Sequence, residues 1–487
     1  MDSYVFLLVS SLFIFLLCNH IINLVTKKRK LPPGPTGFPI IGNLLALGDR
    51  PHESLTNLAK THGPLMTVYL GFNTTIVASS AEIAREILQT NDQAFLGRPL
   101  PYSVTGETNY ELSIAWLSGN ANKWKILRKL CSSQIFTTQK LDALQGLRLQ
   151  MTEVMVKRVM EASKAGEAIN IGKLVFGTVL NLLSNTLFTM DISDMKSNYV
   201  EELKELVWKI MELAAKPNLC DYFPFLKPFD LQHIRRDAKV SHDGLQTLLN
   251  KVVERRMERR ESLGAAKCGD VLDVLLDHSQ QYLGHEGIIV LLTVVELRDD
   301  CPTNPFMKTW TGLIHWRNRH YYHNNGMGNE KDILSLPYLQ SVLKETMRLH
   351  TTAPFLLPHR AEKDVQVCGY TIRKHSQVFV NAWAIARDQM YWDKPTEFIP
   401  ERFMGSFQVD FRGTNFSFIP FGSGRRICPG MSLAVRMLSL TLASLIHHFD
   451  WKLPDGMAPQ DLDMGDKFGI TLQKAIPLVA IPLATTK

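Results

Sequence analysis

One cysteine of this chain is surrounded by what a metal-binding thiolate needs. Residues 421–430 read Phe-Gly-Ser-Gly-Arg-Arg-Ile-Cys-Pro-Gly, and Cys428 lies near the end of the run. A thiolate is a soft, electron-rich ligand. To serve a metal it must sit in a loop that permits close approach and turns backbone N–H groups toward the sulfur. Gly422, Gly424 and Gly430 supply that freedom, because glycine accepts positive φ and leaves room for a flat partner. Arg426 is a cation suited to a carboxylate on such a partner. Pro429 and Gly430 lead into an apolar run with helical spacing. The positive end of that helix would face the sulfur. The competing reading is a buried structural cysteine, the commoner fate of an unpaired thiol.

The run resembles the haem-binding signature of the cytochromes P-450. Phe421, Gly424, Arg426, Cys428 and Gly430 match its fixed positions. The resemblance implies haem b (iron protoporphyrin IX) as cofactor, Cys428 as its metal ligand and Arg426 on a propionate. It extends to further residues. Glu345 and Arg348 lie three apart in a helical pattern, which puts carboxylate and guanidinium on one face. Alone such a pair is weak, and Glu82 with Arg85 has the same spacing. Pro-Glu-Arg-Phe at 400–403 follows at the family's distance, so by resemblance Arg402 joins Glu345 and Arg348 in a buried structural triad. Trp124 and Arg128 match the pair that contacts haem propionates in the family. Lys123, Lys125 and Lys129 beside them are either a basic face for an acidic electron donor or a solvated surface. Residues 352–361 resemble the segment that lines the pocket and grips a propionate. The family usually has arginine after the second proline; here His359 occupies that place and Arg360 follows.

The elements that position these groups read as mainly α with small β-sheets. The expectation is the cytochrome P-450 fold, a single large haem-thiolate domain at 51–487 behind an N-terminal anchor. Residues 66–71 and 74–78 read as a hairpin; 81–88 and 151–263 read as helical; Gln-Val-Phe-Val-Asn-Ala at 377–382 reads as a strand. Residues 98–118 lack a clear period. The stretch 217–229, rich in proline and aromatics, breaks the helical pattern. It is either a membrane-dipping substrate entrance or a packed connection.

Residues 4–25 are mostly apolar, with Asn19, His20 and Asn23 as interruptions, and Lys-Lys-Arg-Lys follows at 27–30. About 20 apolar residues cross a bilayer as a helix. The basic cluster after the span puts the remainder in the cytosol, and a cleaved signal would carry its charge on the other side. The expectation is a transmembrane anchor at 1–26, then a basic, Pro/Gly-rich hinge at 27–50. The implied site is the endoplasmic reticulum membrane, single-pass, with the catalytic domain cytosolic.

The 487 residues are 45% hydrophobic with a net charge of +7. That balance suits an anionic membrane or an acidic protein partner. Seven cysteines without regular spacing make no disulfide framework. No zinc-like spacing or interleaving of aromatic and basic residues points to nucleic acid.

One stretch departs from the family. A distal helix carrying Ala/Gly-Gly, a spacer, Asp/Glu, Thr and Thr/Ser is expected near 280–300. Residues 278–330 contain no such signature, so the oxygen-activating acid and alcohol are absent as written. Cys-Pro-Thr-Asn-Pro at 301–305 breaks the chain, and 317–325 is polar, aromatic and without period. Codons for residues 310–330 read one base later permit Gly-Gly-Thr-Asp-Thr-Thr and then Glu-Trp-Ala-Met. The glycine after Trp316 and the tryptophan at Met327–Gly328 are forced. A frame error or an aberrant splice would account for the stretch, with the frame resuming near 331–333; real divergence is the alternative reading.

The runs Asn-Ala-Trp-Ala-Ile-Ala-Arg-Asp at 381–388 and Lys-Phe-Gly-Ile-Thr-Leu-Gln-Lys at 467–474, with 421–430, resemble the plant geraniol 8-hydroxylase-like group. That resemblance implies hydroxylation of a small lipophilic substrate, a monoterpenoid such as geraniol, using O2 and electrons from NADPH–cytochrome P-450 reductase. Two other readings stand. One is a catalytically impaired haem binder. The other is a haem-thiolate isomerase or lyase, which an insertion in the cysteine loop would favour; none is present.

Overall fold

In the computed structural model the described residues are 31–106, 113–188, 197–262, 270–273, 276–277, 330–334, 336–405 and 409–485. The proposed anchor at 1–26 and the stretch 278–329 lie outside them. Among the described residues, no helix is long and apolar enough to cross a membrane.

Helices dominate. In chain order the ones used below are α1 (Pro51–His62), α2 (Ala81–Arg85), α3 (Asn122–Leu130), α4 (Gln145–Ala165), α5 (Ile171–Phe188), α6 (Ser197–Ala215), α7 (Ile234–Ser262), α8 (Glu330–Leu334), α9 (Pro337–Leu349), α10 (Ala382–Ile385) and α11 (Met431–His448). The periodic pattern over 151–263 is realised as α4 to α7. Gly166 ends α4 in the left-handed conformation that glycine adopts without strain. α2 and α3 each run on into a π-helical turn, Glu86–Thr90 and Cys131–Ile135. α9 opens with proline at its first position, where a missing N–H costs nothing.

The main sheet has four strands: β1 (Leu65–Leu70), β2 (Asn73–Ala78), β3 (His359–Arg360) and β4 (Gln377–Val380), ordered β1-β2-β4-β3. β1 and β2 form the expected hairpin in antiparallel register, and β2 pairs in parallel with β4. The strand expected over 377–382 is shorter. It stops at Val380 because the Asn381 side chain accepts the N–H of Ala384 and caps α10. The proline-rich segment does not stand clear of the body. Thr67 donates from its N–H to Pro33 O (2.8 Å) and from Oγ1 to Pro32 O (2.9 Å), so 32–34 lies along β1.

The largest core cluster joins α3, α4, α5, α7, α9 and α11. α11 is its centre: Leu433, Met437, Leu438, Leu440, Leu442 and Leu445 are all buried. Truncating any one of them to alanine costs about 2–5 kcal/mol. This helix begins three residues after Cys428, so the core fixes the start of α11 and with it the cysteine loop.

Candidate active site

The loop at 421–430 is closed by its own backbone. Cys428 N–H donates to Phe421 O (3.0 Å) and Ile427 N–H to Gly424 O (3.1 Å). Cys428 is half-buried and packs against the large core. The three glycines do different work. Gly424 has φ +66° and lies so close to the Leu88 carbonyl that a Cβ would come within 2.0 Å of its oxygen. Gly422 has φ +75°. Gly430 departs from the expectation of positive φ: at −84° it caps α11 with ordinary geometry. Its contribution is space, with the Phe136 ring 3.8 Å from where a Cβ would stand.

Two side chains of α3 reach this loop, and the loop's own Arg426 reaches out to the segment 96–117. Arg128, on α3, donates from Nη1 to Ile427 O at 2.6 Å, one residue before the cysteine. Trp124, one turn earlier and buried, donates from Nε1 to Ile114 O at 3.1 Å. The Arg426 guanidinium stacks on the Trp124 ring, 4.6 Å from its centroid. Arg426 also donates to backbone carbonyls: Nη1 to Ile114 O (3.3 Å), Nη2 to Leu96 O (2.6 Å) and to Leu117 O.

His359 and Arg360 part company. β3 turns His359 inward, where it is buried and its Nδ1 is 2.7 Å from Phe95 O. Arg360 points the other way into a partly exposed pair with Glu362 at 3.6 Å. Burial and the neighbouring Arg98 guanidinium push the His359 pKa well below the ordinary imidazole value; Arg426 adds to this, and the bond to Phe95 opposes it.

Arg98 is the residue that sequence reasoning missed. It is buried, donates from Nη1 to Pro358 O (2.8 Å) and Leu357 O, and stands with Arg426 as a charge acting on His359. Nothing in the aperiodic segment around it marks it. A single arginine between Gly97 and Pro99 has no spacing partner to signal a role.

The donor set fits an iron porphyrin. It offers a soft sulfur, a cradle in which Gly424 admits no side chain, and two arginines beside a histidine to meet carboxylates.

Glu345, Arg348 and Arg402 come together as a buried network. Glu345 receives Arg348 Nε on Oε2 (2.7 Å) and Nη2 on Oε1 (2.8 Å), with Arg402 Nε (3.1 Å) and the N–H of Ile399 (2.8 Å) also on Oε1. Arg348 Nη1 donates onward to Ala386 O and Pro395 O, both at 2.7 Å. The three side chains tie α9 to the 386–402 segment. Lys123, Lys125 and Lys129 are exposed on α3, on the same helix that touches the cysteine loop.

A family model described as Cytochrome P450 matches residues 32–297 and 322–478. A geraniol 8-hydroxylase of Catharanthus roseus is 43% identical over 502 residues, covering 99% of each chain. The geraniol 8-hydroxylase of Swertia mussotii is 43% identical over 481 residues, covering 94% of each. A drimenol monooxygenase of Persicaria hydropiper is 41% identical over 474 residues, 94% of this chain and 93% of that one. Between the two matched stretches, residues 298–321 lie outside the family model.

Proposed function

The chain belongs to the cytochrome P450 family, and on that premise we propose that it hydroxylates a small lipophilic substrate of terpenoid type, a monoterpenoid alcohol such as geraniol. The family makes it an oxidoreductase of the monooxygenase kind, with haem b held through a cysteine thiolate. O2, a lipophilic substrate and a reductase as redox partner come with that membership. The substrate class rests on the relatives named for geraniol and drimenol.

In this reading Cys428 is the iron ligand. Arg98, Arg426 and His359 receive the propionates, and Trp124 holds the Arg426 guanidinium flat by stacking beneath it. Arg128 pins the backbone next to the sulfur, keeping the loop from drifting. The buried network of Glu345, Arg348 and Arg402 secures the segments behind the loop. When bound, haem supplies dioxygen activation, and thiolate ligation favours O–O cleavage. Substrate binding and orientation are the protein's share.

NADPH–cytochrome P450 reductase is the proposed electron donor. The exposed lysines of α3 support this, since they put positive charge on the helix that abuts the cysteine loop. The proposed home is the endoplasmic reticulum membrane, with residues 1–26 as a single anchor and the body cytosolic. An apolar surface supports membrane contact. Phe72 lies edge-on to Phe225, with centroids 6.0 Å apart, and both rings are exposed, as are Phe229 and Leu231. Phe38 and Ile40 are exposed near the same end of β1. This favours the membrane-dipping reading of 217–229 over the packed connection.

The observation that carries the reading is the glycine-rich loop around Cys428, pinned by Arg128 from α3 and tied by its own Arg426 to the carbonyls of Leu96 and Ile114. Reduced-carbon-monoxide spectroscopy of the full chain tests it, followed by turnover with reductase, NADPH and geraniol. A thiolate-type band that disappears in Cys428→Ser supports the haem assignment; retention of haem with an unchanged spectrum in that variant overturns it. A second reading is a haem binder without turnover. It is favoured by the missing acid and alcohol and by the family match that skips 298–321. A normal band with no product would decide for it.

A further inference from the structure

We propose that the cluster of Arg98, His359 and Arg426 takes up one solvent proton when it receives a carboxylate of the cofactor, the proton residing between His359 Nε2 and that carboxylate. The inference rests on the assignment of this cluster to haem propionates.

The argument begins with the tautomer. His359 Nδ1 is 2.7 Å from Phe95 O. A carbonyl oxygen only accepts, so Nδ1 must carry the hydrogen. In the neutral ring Nε2 then has a lone pair and nothing to donate. A carboxylate arriving at Nε2 meets lone pair against lone pair. The contact becomes favourable only with a proton between the two, giving either an imidazolium on a carboxylate or a neutral ring on a carboxylic acid. Both descriptions hold the same one proton, and solvent is its source.

The surroundings decide when that proton arrives. Arg98 faces His359 from the segment after Phe95, and Arg426 faces it from the cysteine loop. On its own strand, Arg360 is paired with Glu362. Ser118 Oγ also donates to Glu362, at 3.3 Å. Before a carboxylate arrives, burial and the two guanidiniums close by bias His359 toward its neutral form. One carboxylate for each arginine cancels that repulsion, so the ring becomes protonatable only as the site fills.

The sign follows from linkage. The filled cluster binds a proton that the empty one does not, so retention is favoured at low pH and weakens as pH rises through the pKa of the filled pair. The change is at most about tenfold in the retention constant per pH unit for one proton. Protonation of the Cys428 thiolate acts in the opposite direction, so the test compares variants.

The experiment uses the haem-loaded full chain and excess apomyoglobin as acceptor, with transfer followed by absorbance over roughly pH 6 to 9. The expected result is haem loss in the unmodified chain that speeds up several-fold as pH rises. In His359→Asn the side-chain amide donates at every pH, so the rise should be absent while the thiolate-type band persists. His359→Gln provides the same contrast if the asparagine variant does not load. An equal slope in the unmodified chain and the amide variants overturns the proposal. Failure of the unmodified chain to load haem at all overturns the cofactor assignment itself, and the spectrum distinguishes that from an equal slope.

Discussion

Arg348 and Glu345 face each other one helical turn apart on α9, joined by two hydrogen bonds of 2.7 and 2.8 Å with neither side chain exposed. Every strong donor of Arg348 is spent, since its remaining nitrogen contacts go to the carbonyls of Ala386, Pro395 and Glu397. Removing one partner strands a charge away from water. Glu345→Ala or Arg348→Ala should therefore cost roughly 3–5 kcal/mol, the usual penalty for an orphaned buried charge. Chemical denaturation of the full chain, with haem retention as a second readout, checks it. A loss under about 1 kcal/mol would place the pair among weak surface bridges.

Gly424→Ala meets two obstacles at once: a left-handed φ of +66° and the Leu88 carbonyl 2.0 Å from the new Cβ. Backbone carbonyl cannot rotate aside as a side chain can. The substitution should lower stability by about 1–3 kcal/mol or more and reduce the thiolate-type absorbance per mole of protein. Gly369→Ala is the control. Its φ is +78° but nothing lies within 4 Å, so it should cost less.

Lys125 and Lys129 are exposed while Arg128 between them touches the loop. Lys125→Glu with Lys129→Glu should leave the carbon monoxide band unchanged and weaken reductase coupling. Exposed pairs contribute roughly 0.2–1 kcal/mol each, so the half-saturating reductase concentration should rise about two- to thirtyfold. Added salt should weaken the unmodified pair and affect the double variant little.

Asp221 accepts the N–H of Tyr102 at 2.6 Å and is mostly buried, which raises its carboxyl pKa despite that bond and Lys227. An acid with a raised folded pKa favours the native state at low pH. It penalises that state as pH climbs through the unfolded and then the folded value. Asp221→Asn keeps an acceptor for Tyr102 and removes the charge. It should be neutral or stabilising at pH 7, within about 1 kcal/mol, with the advantage fading as pH is lowered. Asp221→Ala leaves the N–H without its acceptor and should cost about 1–3 kcal/mol. Thermal inactivation midpoints across pH separate the two; an asparagine variant less stable than wild type at pH 7 would refute the account.

The parts of the site legible beforehand were those whose signal is short and local. Phe421 to Gly430 carry their geometry in adjacent residue types. The β1–β2 hairpin shows in alternating β-branched residues around Gly71, and Glu345 with Arg348 shows in helical spacing. Asn381 was read as strand because a capping side chain and a strand end look alike until the Ala384 N–H is placed opposite it. Arg98 was invisible because its role depends on Leu357 and Pro358, some 260 positions away in sequence.

By itself the sequence determined that a cysteine would stand at the entrance of a buried helix, in a loop whose glycines exclude side chains, within a mostly helical body. Tertiary structure alone decided which neighbours face that cysteine. Adjacent residues on a strand point to opposite sides, so a single step of register buries His359 against Phe95 and sends Arg360 outward to Glu362. The linear chain contains both side chains equally; only pairing with β4 determines which of them the site receives.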